Sequence, residues 1–202
     1  MTTAAGRVRH HAIIAGTGRA GTSFIVQLLS RLGLDTGYDA LFPFNDAAKA
    51  GLEYDIRKDD APYIVKNPAI SSYIDDILAN DRIVIDHAFI PIRDLAAAAR
   101  SRIEVQERSG VAKPVPGGLV FTQDRERQAE VLAALFHNLV LALTRADIPM
   151  TFISYPRLTA DCDYLYHKLK PLLADVSRDR FGEAFDALRR PDWVHSFTAN
   201  DR

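Results

Sequence analysis

One cysteine, one tryptophan and two methionines are all that the 202 residues hold of those types. With Cys162 alone, no disulfide can form within the chain and a thiolate metal centre would have no partner ligands, which excludes disulfide-stapled and cysteine–zinc scaffolds. Neither sign of charge dominates: 25 Lys and Arg against 26 Asp and Glu leave a formal charge of −1. That balance gives no nucleic-acid tail and no polybasic membrane segment, although a basic pocket can sit inside a neutral total. Long apolar runs are missing too, none approaching the roughly 18 residues that a bilayer demands, so no integral membrane segment is expected. Arg7, Arg9, His10 and His11 precede an apolar stretch of only Ala12 to Ala15, too short for the core of a secretory signal, and the expected location is the cytoplasm. What is present is an ordinary globular composition, 48% apolar and 25% charged. The length suits a single domain over 1–202 with one core, residues 190–202 forming a C-terminal tail.

Strand-like and helix-like segments alternate along the chain. Ala12-Ile13-Ile14-Ala15 is a short apolar run closed by Gly16, the pattern of a buried parallel strand. A glycine-bearing turn follows, and Thr22 to Leu32 carries helical spacing in Phe24, Ile25, Leu28, Leu29 and Leu32, with Gly33 as its stop. Tyr63-Ile64-Val65 predicts a second strand, and Pro68 to Leu78 a helix with proline in its first turn. A third strand lies within Arg82 to Ile92, and the alanine-rich stretch from Leu95 is helical. Gly110 to Gly118, with Pro114 and Pro116, forms a loop suited to a mobile lid. Gln123 to Arg145 predicts a long helix, Met150 to Ser154 a fourth strand, and Arg157 to about Leu173 another helix. In the long helix, Leu135, Leu139, Ala142 and Leu143 make a core-facing stripe. Such alternation predicts an α/β three-layer sandwich on a mostly parallel sheet. Ligands in that class bind beyond the carboxyl ends of the strands, where Gly16, Lys66, Arg93 and Tyr155 all fall.

Gly16-Thr17-Gly18-Arg19-Ala20-Gly21-Thr22-Ser23 has the strand–turn–helix setting of a phosphate-binding loop. Glycines let the backbone approach an anion, and the helix start offers N–H groups and partial positive charge. The nucleotide-triphosphatase motif G-x-x-x-x-G-K-[ST] is met in its glycines but has Thr22 where lysine belongs. Arg19 supplies charge from within the loop instead. The competing reading is a plain tight turn with Arg19 in solvent.

Gly-Arg-Ala-Gly-Thr-Ser resembles the 5′-phosphosulfate loop of the sulfotransferase family, whose bacterial members often read G-x-x-R-S-G-T-[ST]. That family also binds the donor's 3′-phosphate with an arginine at a strand end and a serine eight positions later; here these are Arg93 and Ser101, with Leu95 where R-D-P is common. Val65-Lys66-Asn67-Pro68 is similar to the family's K-[DN]-P segment, and Ser154-Tyr155-Pro156-Arg157-Leu158 to its S-Y-E-D-L segment, with Pro156-Arg157 replacing the acidic pair. Gly51-Leu52-Glu53 is similar to a G-[YF]-x-E element. The matches run from Ile13 to about Leu169.

The resemblance implies a P-loop sulfotransferase-like fold and an enzyme that moves a sulfuryl group from 3′-phosphoadenosine 5′-phosphosulfate (PAPS) to a hydroxyl or amine, releasing adenosine 3′,5′-bisphosphate (PAP), with no metal. It implies that the backbone of Gly18, Arg19, Ala20, Gly21, Thr22 and Ser23 cradles the 5′-phosphate, that Arg93 and Ser101 hold the 3′-phosphate, and that Tyr155 lies near the adenine. Arg19 meets charge developing on the leaving oxygen, electrostatically, since arginine is no acid at neutral pH. Lys66 is a second cation there or, alternatively, a strand-end lysine reaching solvent. Glu53 is the first choice of general base and His87 the second, although His87 sits mid-strand, where a hydrogen-bonded core histidine is the other reading. Asp39, Asp46 and Asp55 are further acids, read as solvated loop charges; the remaining histidines show no metal-ligand spacing. The acceptor is a small molecule, a glycan or a lipid, and Leu41-Phe42-Pro43-Phe44 with the Gly110–Phe121 loop either shapes its pocket or simply packs. Two other functions stay open: a P-loop small-molecule kinase using Mg-ATP, and a non-catalytic binder of a phosphorylated ligand.

Overall fold

The structure is a computed structural model, and it describes residues 7–39 and 51–189. The Leu41–Phe44 segment, Asp46 and the 190–202 tail lie outside the described residues.

Four strands, β1 (Arg9–Ile14), β2 (Ile64–Lys66), β3 (Ile83–Ile92) and β4 (Met150–Ser154), form one sheet in the order β2-β1-β3-β4, every pair parallel. Ile14 pairs with Lys66 on one side and Phe89 on the other, and Ile92 pairs with Ser154. Parallel strands buried on both faces need apolar residues at successive positions, and Ala12, Ile13, Ile14 and Ala15 are all fully buried. The chain leaves β1 toward β2, then crosses to β3 on the opposite side, so the direction of winding reverses at β1. Such a reversal opens a crevice above the carboxyl ends of β1 and β3.

Helices cover both faces. Ala12, Ile14, Phe89 and Ile153 point to a core shared with α1 (Thr22–Arg31), α6 (Cys162–Leu169) and α7 (Arg178–Leu188). Ile13, Val65, Ala88 and Ile90 point the other way, to α2 (Ile74–Leu78), α4 (Gln128–Arg145) and the 3₁₀ turn Pro68–Ser72. The α/β class, the parallel sheet and the three layers therefore agree with the reading from sequence. The remaining helices, α3 (Leu95–Ser109) and α5 (Arg157–Ala160), follow β3 and β4 directly.

Several boundaries differ, each for a local reason. The helix expected from Pro68 opens as a 3₁₀ turn, because Ser71 and Ser72 donate their hydroxyls to the Pro68 and Ala69 carbonyls three residues back. The long helix starts at Gln128 instead of Gln123, since Thr122 and Asp124 accept backbone N–H bonds two residues on and hold turns. The helix expected over 157–173 breaks at Asp161, whose extended backbone lets its carboxylate cap α6 at Tyr164 N, 2.9 Å away. Helix α7 was not expected from sequence, although Ser177 caps it and Phe181 and Phe185 bury one face.

Candidate functional site

The loop 16–23 joins β1 to α1 and turns through left-handed backbone. At Gly18, φ is +70° and an added Cβ would stand 2.4 Å from Nη2 of Arg102; at Gly21, φ is +80° and it would stand 2.8 Å from Leu158. At both positions a side chain could enter only if the neighbouring side chain shifted. Arg19 takes φ +55° without being glycine, a conformation that costs free energy and is held here by its neighbours. Helix α1 starts directly after Gly21 with no side-chain cap, so its first N–H groups and their partial positive charge face the crevice.

Cations converge on this loop. Arg19 Nε donates to Ser101 Oγ at 3.1 Å, and Arg93 Nη1 donates to the Arg19 carbonyl at 3.0 Å. The Arg93 guanidinium lies 4.8 Å from the centre of the Tyr155 ring. Lys66, 3% exposed at the tip of β2, donates to Glu53 Oε1 and to the Gly51 carbonyl at 2.7 Å. Its Nζ is 3.4 Å from Ser23 Oγ, which ties β2 to the loop. The alternative of a lysine reaching solvent is therefore not what the fold builds. Burial lowers the pKa of Arg19, with Arg93 adding to the effect; burial likewise lowers Arg93, and lowers Lys66 despite the opposing pull of Glu53. Each depression has burial as its first cause: removal from water disfavours the charged form, and an anion placed here would favour it.

These groups open on one cleft of about 670 Å³. Gly18, Arg19, Gly21, Thr22 and Ser23 line it, as do Glu53, Lys66, Arg93, Ser101 and Tyr155. Ala20 is fully buried beneath the loop and does not line it. His87 is not brought to the cleft. It lies six residues before Arg93 on β3, about 20 Å along a strand. There its ring stacks on Phe89 at 4.5 Å and bonds Thr151 Oγ1 at 2.8 Å, and burial lowers its pKa. Half-buried and hydrogen-bonded within the sheet, His87 does not line the cleft and is corrected out of the site. Asp55 is engaged by Arg57 at 2.8 Å and does not line the cleft either. Among the described residues no three His, Cys, Asp or Glu side chains gather as a metal-binding set.

Two features escaped the sequence. Arg102 belongs to no motif, yet it is 7% exposed and lines the cleft, donating from Nη2 to the Thr17 carbonyl and from Nη1 to the Gly118 carbonyl, both at 2.8 Å. Burial and the nearby Arg19 push its pKa down to about 10, and its Nε is buried without a hydrogen-bond partner. Its only signal was adjacency to Ser101. The second is Leu135, expected in the core with Leu139, Ala142 and Leu143; those three are buried, whereas Leu135 is half-buried and faces the cleft.

Comparison of the chain with protein-family models, with curated proteins and with solved structures finds no match.

Proposed function

We propose that the protein is a cytoplasmic sulfotransferase of the P-loop kind, moving a sulfuryl group from PAPS to an acceptor hydroxyl or amine. The observation that carries this reading is the joint between the two expected anion cradles. Arg93 bonds the Arg19 carbonyl, Arg19 bonds Ser101, and all three line one cleft. Two cradles so joined suit the two phosphorylated ends of one nucleotide. Among the described residues, three arginines and a lysine against one carboxylate, Glu53, suit the charge of such a donor.

In this reading the N–H groups at the start of α1, with Thr22 and Ser23, hold the 5′-phosphate, while Arg93 and Ser101 hold the 3′-phosphate. Tyr155, against the Arg93 guanidinium, flanks the adenosine. Glu53 accepts the acceptor's proton as its oxygen or nitrogen bonds to sulfur. The bond from sulfur to the bridging phosphate oxygen breaks, and PAP leaves with that electron pair. Arg19 and Lys66 meet the new charge electrostatically.

The test is thermal stabilisation by PAP in the presence of a chelator, followed by transfer of labelled sulfate from PAPS to an acceptor mixture. Stabilisation by PAP with acceptor-dependent transfer supports the reading. Stabilisation only by ATP with Mg²⁺ makes the protein a kinase, and binding without transfer makes it a non-catalytic ligand binder.

A further inference from the structure

A loop receives an anion on its N–H groups and repels it with its carbonyl oxygens. Three successive carbonyls of the glycine loop are each covered by a side-chain donor. Arg102 Nη2 donates to the Thr17 carbonyl at 2.8 Å, the Thr17 hydroxyl to Gly18 at 3.1 Å, and Arg93 Nη1 to Arg19 at 3.0 Å. A peptide unit is planar and trans, so a carbonyl fixed on one side fixes the next residue's N–H on the other. These three bonds therefore set the directions of the Gly18, Arg19 and Ala20 N–H groups before any ligand arrives.

Two of the donors, Arg102 and Thr17, have no part in the reading above. They are 7% and 6% exposed. Each terminal nitrogen of Arg102 already holds a carbonyl, Nη1 that of Gly118 at 2.8 Å, and its Nε is buried without a partner. The missing Cβ of Gly18 is what lets Nη2 reach Thr17. The other anchor is itself tied down. One helical turn on from Arg102, Gln106 donates to the Val111 and Lys113 carbonyls at 2.6 and 2.9 Å and accepts from Val115 N at 3.3 Å. The segment expected as a mobile lid is thus bonded to α3 and gives the Arg102 fork a fixed base. A guanidinium buried near Arg19 is costly, and an uncharged side chain could bond one neutral carbonyl at less cost. What arginine adds is a rigid planar fork that holds two carbonyls at a set separation.

We infer that Arg102 and Thr17 are positioning residues for the 5′-phosphate. Beyond the charge that Arg102 shares with three other cations, they turn the loop's peptide groups so that an anion meets N–H groups and not carbonyl oxygens. The inference rests on the sulfotransferase reading for the identity of the anion. Because both residues act on the 16–23 loop and neither touches Ser101, their effect is confined to one end of the donor.

The full chain is titrated by calorimetry with adenosine 5′-monophosphate, adenosine 3′-monophosphate and inorganic pyrophosphate. Arg102→Lys keeps the charge but cannot hold both carbonyls. It should weaken the 5′-monophosphate and pyrophosphate by at least about tenfold and leave the 3′-monophosphate within about twofold. The Gly18 amide, on the peptide unit whose carbonyl Arg102 holds, gives the spectroscopic signature. Its proton resonance should move downfield when the 5′-monophosphate saturates the wild type, and should not in Arg102→Lys. Thr17→Val keeps the shape and removes the hydroxyl, so it tests the loop even if Arg102→Lys fails to fold; a loss of about threefold or more for the 5′-monophosphate alone is expected. The inference is overturned if both monophosphates weaken alike, if the 5′-monophosphate binds both variants as it binds the wild type, or if the Gly18 resonance moves in Arg102→Lys as before. Wild-type protein that binds pyrophosphate and neither nucleotide loses the sulfotransferase reading, and keeps this inference only if the two variants weaken pyrophosphate. Binding of none of the three overturns both.

Discussion

Arg93 donates from Nη1 to the Arg19 carbonyl and lines the cleft, where its planar guanidinium can meet an anion. Arg93→Ala should weaken PAP by about 2–5 kcal/mol, the cost of removing one partner from a buried charge-assisted contact. Arg93→Lys should not restore the affinity, because a lysine cannot span both contacts. Calorimetric titration decides it, and unchanged affinity in the alanine variant takes Arg93 out of the site. His11 tests the opposite end of β1. It is 1% exposed, its Nδ1 donates to the Pro62 carbonyl at 2.7 Å, and its Nε2 is buried without a partner. Burial, aided by Arg9 and opposed by the Pro62 bond, Asp86 and Asp35, lowers its pKa from the ordinary 6.5. The unfolded chain therefore takes up the proton first as acid is added. Stability from this group is complete above about pH 6.5 and is lost as pH falls through that value toward the lower folded pKa. His87 shifts the same way and adds to the loss. Urea midpoints between pH 7 and 5 should fall less steeply in His11→Gln, which keeps a donor for Pro62; equal slopes would mean that His11 does not control this transition.

Among the elements, the glycine loop is the one whose backbone leaves least freedom. Gly18 and Gly110 form a matched pair for measuring why. Both have left-handed φ, +70° and +63°, but a Cβ at Gly110 meets nothing within 4 Å while one at Gly18 strikes Arg102. Gly110→Ala should cost about 1 kcal/mol of backbone strain alone. Gly18→Ala should cost more than that in denaturant unfolding and should also weaken PAP, since Arg102 must leave the Thr17 carbonyl. Equal costs would show that Arg102 moves aside freely. The same comparison explains what could be read from the chain in advance. The strand tips were readable because a buried parallel strand is a short apolar run closed by glycine or charge, as at Ala15-Gly16 and Ile92-Arg93. The pairing of Arg93 with Ser101 came from the resemblance to the sulfotransferase family, not from the strand pattern. Arg102 came from neither, because no linear pattern in an alanine-rich helix says that the residue after Ser101 turns toward both Thr17 and Gly118. Helix breaks at Tyr73 and Asp161 were hidden for a related reason: they depend on side chains bonding backbone a few residues away, which competes with helix at little difference in free energy.

Across the entire chain, the charge balance that excluded a basic protein at the outset conceals a strong local imbalance. Among the described residues, Arg19, Lys66, Arg93 and Arg102 line a cleft with one carboxylate, Glu53, while the total stays at −1, so the rest of the chain carries a net negative charge. The sheet causes the imbalance. With β2, β1 and β3 parallel and adjacent, the residues that follow each strand come out at one end, and three separate stretches of sequence deliver their cations to the same crevice. These cations are mostly removed from water, so their mutual repulsion is a standing cost to folding that a bound polyanion relieves. At a hundredfold excess over its Kd, PAP should stabilise the fold by about 2.7 kcal/mol, a shift of roughly 5–10 °C in Tm for a chain of this size. Salt separates this origin from ordinary ligand burial. Raising sodium chloride from about 0.05 to 0.5 M shortens the screening length from about 14 to 4 Å, and should both raise the Tm of the free protein and shrink the PAP-induced shift. Differential scanning fluorimetry across that range measures both. A shift in Tm that ignores salt would mean that PAP is held by contacts other than these four cations, and the proposed donor site would have to be moved.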